Sequence, residues 1–118
     1  MTLEACYAQM GGDLGAALCV LESEARLRRY LSRFLDEPTA RMLIAALEEE
    51  RWEDVMRTAH TMKGLCRGLG LTRLYDACST MTDALRESTP PADMRHRERV
   101  RAEYEHAVQA IRALEDGV

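Results

Sequence analysis

A histidine, a lysine and a glycine stand within about one helical turn of each other in the run Ala59-His60-Thr61-Met62-Lys63-Gly64. Imidazole is nucleophilic near neutral pH. A lysine ammonium is a compact charge on a flexible stem, suited to meeting phosphoryl oxygens. At about 100° per residue, Val55, Thr58, Met62, Leu65, Cys66 and Leu69 fall about 140° to 240° from His60 and form a core stripe. Met56, Arg57, Lys63, Gly64 and Arg67 lie within about 60° of the histidine. The spacing predicts a helix over 52–70 with His60 outward, cations at i+3 and i+7, and no side chain at i+4.

Two of these residues are costly or unusual where they stand. A glycine in mid-helix loses roughly 0.5–1 kcal/mol relative to alanine. Gly64 faces outward, so close packing in a core does not account for it; it leaves room for another macromolecule to approach the imidazole. Lys63 is the single lysine beside fifteen arginines. Gly68 and Gly70 read first as glycines near a helix end, where they cap. Met56 fits equally a core boundary or the centre of a small transient interface.

The elements that must hold this face are helical. Sixteen alanines and fifteen leucines stand against five valines and two isoleucines, a balance that favours helix over strand. Leu3, Cys6, Tyr7 and Met10 share one face before Gly11-Gly12; Asp13 can cap a second short helix with Leu14, Leu18 and Leu21. Ser23 can cap a third with Leu27, Tyr30, Leu31, Phe34 and Leu35. Pro38 suits the first turn of a fourth, through Leu43, Ile44 and Leu47, which ends in the solvated run Glu48-Glu49-Glu50. Thr72 opens a helix striped by Leu74, Ala77, Cys78, Met81 and Leu85, and Ser88-Thr89-Pro90-Pro91 is a linker. The last helix carries Val100, Tyr104, Val108, Ile111 and Leu114. The expected fold is all-α: one domain over 1–118, an antiparallel four-helix bundle with its core over about 24–115 and short N-terminal helices over 1–22 as a cap.

Composition excludes several functions. A net charge of −4 and a pI near 5.4 argue against a general nucleic-acid binder. No apolar run approaches the roughly 20 residues of a membrane span, and no signal peptide is present, so a cytoplasmic protein without membrane contact is expected. Cys6, Cys19, Cys66 and Cys78 lie far apart without a C-x-x-C pair, which fits reduced thiols. The basic run Arg95 to Arg101 reads as a solvated helix face with Glu98, Glu103 and Glu105 as partners. His96 and His106 are about 80° apart on the wheel and with His60 show no metal-ligand spacing, so no metal site is expected. Without paired carboxylates near His60 or a Gly-rich phosphate loop, an autonomous hydrolase or kinase is not supported.

The run from Ala59 to Gly64, followed by Leu69-Gly70, resembles the signature of histidine-containing phosphotransfer (HPt) domains: alanine, the phospho-accepting histidine, a small hydroxyl residue, an aliphatic, lysine, glycine, then an aliphatic-glycine pair. Phe34, Leu35, Leu47 and Trp52 extend the resemblance upstream, and Leu74, Cys78 and Met81 downstream, over about 24–113. Leu65 and Cys66 stand where small residues are common, Gly68 where Asn is frequent, and Thr82 where an acidic residue is common.

The resemblance implies a phosphoryl carrier rather than an enzyme. His60 accepts a phosphoryl group from a receiver-domain aspartate and passes it to another receiver; Lys63 stabilises charge on the phosphoryl oxygens. Gly64, Arg67, Met56, Arg57 and Gly68 form the docking face. No cofactor is bound by the chain itself; the receiver supplies Mg²⁺. The implied partners are response-regulator receivers and a hybrid sensor kinase, and a monomer is expected; an initiating Met and the lack of any kinase, receiver or membrane segment in the sequence favour a free-standing cytoplasmic protein. The competing reading is an HPt-like helical interaction module without phosphotransfer.

Overall fold

Capping side chains divide the first half of the chain. The Ala5 N–H donates to the Thr2 hydroxyl at 3.0 Å to open α1 (Leu3–Met10), and Gly11 closes it in the left-handed region at φ +62°. The Ala16 N–H donates to the Asp13 carboxylate at 2.9 Å to open α2 (Leu14–Leu21). Ser23 accepts from the Arg26 N–H at 3.1 Å and opens α3 (Glu24–Asp36). Before α4 (Thr39–Glu48), Pro38 stands just outside the helix instead of in its first turn. Glu37 does the capping, accepting from the Thr39 hydroxyl at 2.7 Å and its N–H at 3.3 Å.

Three longer helices follow: α5 (Trp52–Leu69), α6 (Thr72–Glu87) and α7 (Met94–Glu115). This computed structural model describes residues 1–87 and 94–116, and the expected Ser88 to Pro91 linker lies outside them. Among the described residues every element is a helix, as the composition predicts. α5 packs between α4 and α6, α6 against α7, and α7 back onto α4, so these four form the bundle. The two- and three-residue connections on either side of α5 make it antiparallel to both sequence neighbours. α3 lies across α5 and α7, α2 against α3 and α5, and α1 along α7.

The N-terminal helices are more than a cap. Leu3, Cys6, Tyr7 and Met10 are buried in the same cluster as Leu27, Leu31, Phe34, Met62 and Ile111. Their i, i+3, i+4, i+7 spacing makes one continuous stripe, which α7 covers. Tyr30 departs from its expected place: it is 40% exposed, because the α3 stripe centres on Leu27, Leu31 and Phe34 and leaves Tyr30 at its edge. On α5, Ala59 is fully buried and Leu65 only half-buried, a small rotation of the expected stripe.

The turn between α1 and α2 is bolted to the turn between α5 and α6. The Asp13 N–H donates to the Gly70 carbonyl at 2.8 Å, the Arg73 N–H to the Gly11 carbonyl at 3.1 Å, and the Tyr7 hydroxyl to the Leu69 carbonyl at 2.7 Å. Gly70 has φ +66°, and a Cβ there would fall well inside contact distance of the Asp13 carbonyl oxygen. Gly70→Ala is therefore expected to destabilise the fold by about 2–3 kcal/mol, through left-handed strain plus displacement of α2. A denaturant titration showing no lower midpoint would contradict this packing.

The acidic end of α4 is exposed but not simply solvated. Glu48 pairs with Arg101 at 2.6 Å and Glu50 with Arg97 at 3.4 Å. Arg97 also donates to the Leu47 carbonyl at 3.4 Å and lies over the Trp52 ring at 5.2 Å. The basic run of α7 thus finds partners at the negative end of α4. Glu103, expected to serve that run, instead takes Arg73 of α6 at 2.7 Å. All four cysteines are free; Cys19 is exposed, while burial pushes the Cys78 thiol up to about 12 and raises that of Cys66 as well. Among the described residues no helix is long and apolar enough to cross a membrane.

Candidate functional site

α5 is anchored at both ends and along one side. At its start Asp54 takes ion pairs from Arg51 and from Arg57, the latter at 2.7 Å. These hydrogen bonds, from Arg51 first and Arg57 second, hold the Asp54 carboxyl below the usual range. At its end Gly70 supplies the left-handed cap, with the Leu71 N–H returning to the Cys66 carbonyl at 2.9 Å. Val55, Thr58, Ala59, Met62, Cys66 and Leu69 are buried in between. The buried Thr58 hydroxyl is satisfied within the helix, donating to the Asp54 carbonyl at 2.7 Å.

That burial leaves His60 facing out. Its imidazole is exposed and has no hydrogen-bond or ion-pair partner among the described residues. Thr61, beside it, points its hydroxyl at the Arg57 carbonyl at 3.3 Å. Gly64 is exposed, and a Cβ at either Gly64 or Gly68 would meet nothing within 4 Å. Neither glycine is required by packing among the described residues.

The three cations differ more than their common face implies. Arg57 is tied to Asp54. Arg67 donates to the Tyr75 hydroxyl on α6 at 2.7 Å, with its guanidinium 5.3 Å from the ring centre. That hydrogen bond holds the Tyr75 phenol below its ordinary range, and the charge of Lys63 acts in the same direction more weakly. Lys63 is half-buried on the side facing α6 and has no ion-pair partner among the described residues. It is thus the cation near His60 whose charge no carboxylate or hydroxyl has taken up. Met56 is half-buried.

Tyr75 was not among the residues singled out from the sequence. Its signal was its place off the α6 stripe of Leu74, Ala77, Cys78 and Met81, which turns an aromatic ring toward α5. Thr82, at a position where the family often has an acidic residue, is buried and donates to the Ser79 carbonyl at 3.0 Å. A carboxylate at that depth would need a buried partner, and a hydroxyl does not.

Residues 22–113 match the family model of the Hpt domain. The chain belongs to that family. No curated protein and no solved structure gives a match to it. As an Hpt domain it is a phosphotransfer module of two-component systems, of the class that carries phosphoryl groups and engages receiver domains. The matched span takes in the whole of the His60 face and α3 to α6, and begins one residue after α2 ends. Among the described residues no three His, Cys, Asp or Glu side chains gather where they could hold a metal ion.

Proposed function

We propose that this Hpt domain relays a phosphoryl group between receiver domains through His60. The observation that carries the reading is the conjunction at one turn of α5: an exposed imidazole and, at i+3, a cation, neither with a partner among the described residues, and open space at Gly64. A ring nitrogen of neutral His60 attacks the phosphorus of a receiver's aspartyl phosphate. The P–N bond forms as the P–O bond to the aspartate breaks, and the carboxylate leaves with the electron pair. The second transfer reverses these bonds on another receiver.

Lys63 lies about 5–6 Å from His60 between Cβ atoms, the ordinary i, i+3 separation. Its flexible stem lets the ammonium follow the phosphoryl oxygens as they move onto the imidazole. Arg67 and Arg57, already paired, contribute field and docking rather than direct contact. The Mg²⁺ of in-line transfer is assigned to the receiver, which brings its own acidic residues.

Lys63→Ala is expected to slow transfer by roughly 100- to 1,000-fold, the size of removing one charge-stabilising donor, with an unchanged helical circular-dichroism spectrum. A rate equal to wild type would remove Lys63 from the mechanism. The reading as a whole is tested by incubating the chain with a phosphorylated receiver, isolating it, and adding a second, unphosphorylated receiver. Label is expected to appear on the chain and then on the second receiver. A chain that binds the receiver but never carries label would favour the interaction-module reading.

A further inference from the structure

Two cations and a phenol share the seam where α5 packs on α6. Lys63 and Arg67 stand at i and i+4 on α5, about 5–6 Å apart between Cβ atoms, and like charges at that spacing repel. Only one of them is fixed. The Arg67 guanidinium donates to the Tyr75 hydroxyl at 2.7 Å and lies 5.3 Å from the ring centre, so oxygen and ring hold it together. Lys63 makes no hydrogen bond or ion pair among the described residues.

Yet Lys63 leans the same way, half-buried on the side of α6. The Tyr75 phenol is held down by the Arg67 hydrogen bond first, then more weakly by Ser79 and by the charge of Lys63. On the next turn of α6, burial raises the Cys78 thiol and the charge of Lys63 opposes it. The Tyr75 oxygen is thus an acceptor that both cations face and that Arg67 holds. An ammonium on the same oxygen would stand a few ångströms from the guanidinium, in a seam partly shielded from water, where like charges repel strongly. Occupation by Arg67 therefore keeps Lys63 off the phenol and leaves its ammonium to the His60 side, one turn away.

We propose that Arg67 is a positioning residue: by occupying the Tyr75 hydroxyl it denies Lys63 that acceptor and keeps the ammonium free for the phosphoryl group on His60. The proposal rests on the phosphotransfer reading and adds an effect of Arg67 that passes through Tyr75 and Lys63, without contact to the phosphoryl group. In a chain lacking the guanidinium, Lys63 swings onto the vacated oxygen, and transfer must first break that bond. One hydrogen bond of ordinary net strength shifts such an equilibrium by about three- to tenfold.

The test measures transfer from the fastest donor in a panel of phosphorylated receiver domains to wild type, Arg67→Met, Tyr75→Phe and the double variant. Methionine keeps an unbranched stem without donors; phenylalanine keeps the ring without the oxygen. Arg67→Met is expected to lower the maximal transfer rate about three- to tenfold, the shift of one net hydrogen bond, and to raise the half-saturating receiver concentration through lost field. Adding Tyr75→Phe is expected to restore the maximal rate, by a larger factor than it changes the wild-type rate, and to leave the half-saturating concentration raised. Lys63 is the only lysine, so its side-chain NMR signal is unambiguous. It is expected to shift in Arg67→Met and to return in the double variant, with no receiver present. Arg67 is exposed, and thermal melts report folding for each variant. A wild-type maximal rate in Arg67→Met, or a lowered rate that Tyr75→Phe does not restore, would overturn the positioning role while leaving phosphotransfer through His60 standing. A wild-type chain that takes no label from any receiver would remove the phosphotransfer reading, and this proposal with it.

Discussion

His60→Gln is expected to abolish phosphoryl acceptance altogether while leaving the fold and its stability unchanged. The imidazole makes no hydrogen bond or ion pair among the described residues, so its loss leaves no buried group without a partner. Glutamine has at least as good a helix propensity as histidine and keeps an exposed polar surface. It has no nucleophilic nitrogen, so the effect on transfer is total rather than graded. Neither of the other histidines can substitute. His96 and His106 lie on α7, away from Lys63 and the glycine-cleared face, and His106 sits 3.9 Å from the Glu103 carboxylate. Residual labelling of His60→Gln at the wild-type rate would place the acceptor elsewhere.

The second large effect has opposite signs on stability and on transfer. Gly64 is in the middle of α5, and a Cβ there would meet nothing within 4 Å. Gly64→Gln is therefore expected to stabilise the chain by roughly 0.5–1 kcal/mol, because the unfolded chain loses freedom and no native contact is strained. The same side chain stands one turn from His60, in the path of any partner reaching the imidazole. Transfer from a receiver is expected to fall by about 100-fold, the scale of misplacing reacting atoms by about 1 Å. A higher unfolding midpoint with slower transfer would mark Gly64 as a residue kept for access at the expense of helix stability. Equal transfer would leave only the stabilisation, and Gly64 without a functional role.

The sequence made the α5 face legible because helical period converts spacing directly into direction. His60, Gly64 and the buried stripe from Val55 to Leu69 followed from that period, with Leu65 and Ala59 exchanging degrees of burial. The caps at Asp13 and Ser23 were legible for a related reason: a side chain bonding an N–H three residues on is a local event. Contacts between helices were not. Arg67 looked like a free cation on the histidine's face, and only the placement of α6 shows Tyr75 holding it. Glu103 looked like a partner for its own helix and serves Arg73 instead.

The N-terminal helices illustrate the same limit. α1 could be drawn as an amphipathic stripe, but that it shares the bundle's core depends on α7 passing alongside it. α2 offered Leu14, Leu18 and Leu21 as a stripe, whereas all three are half-buried and Ala17 is the residue enclosed. An all-apolar segment has no polar side to mark its direction, so periodicity could not orient it. Tyr30, expected in the α3 core stripe, instead stands exposed at its edge, a position that only the placement of α3 against α5 and α7 decides.

The most direct test of the relay is to map the phosphoryl group after transfer. Wild-type chain labelled by a phosphorylated receiver is digested under alkaline conditions, which preserve phosphoramidates, and the modified residue is located by mass spectrometry. The label is expected on the peptide containing His60, on the imidazole, and to be lost on brief acid treatment. Label on His96, His106 or an acid-stable hydroxyl, with His60 unmodified, would contradict the account.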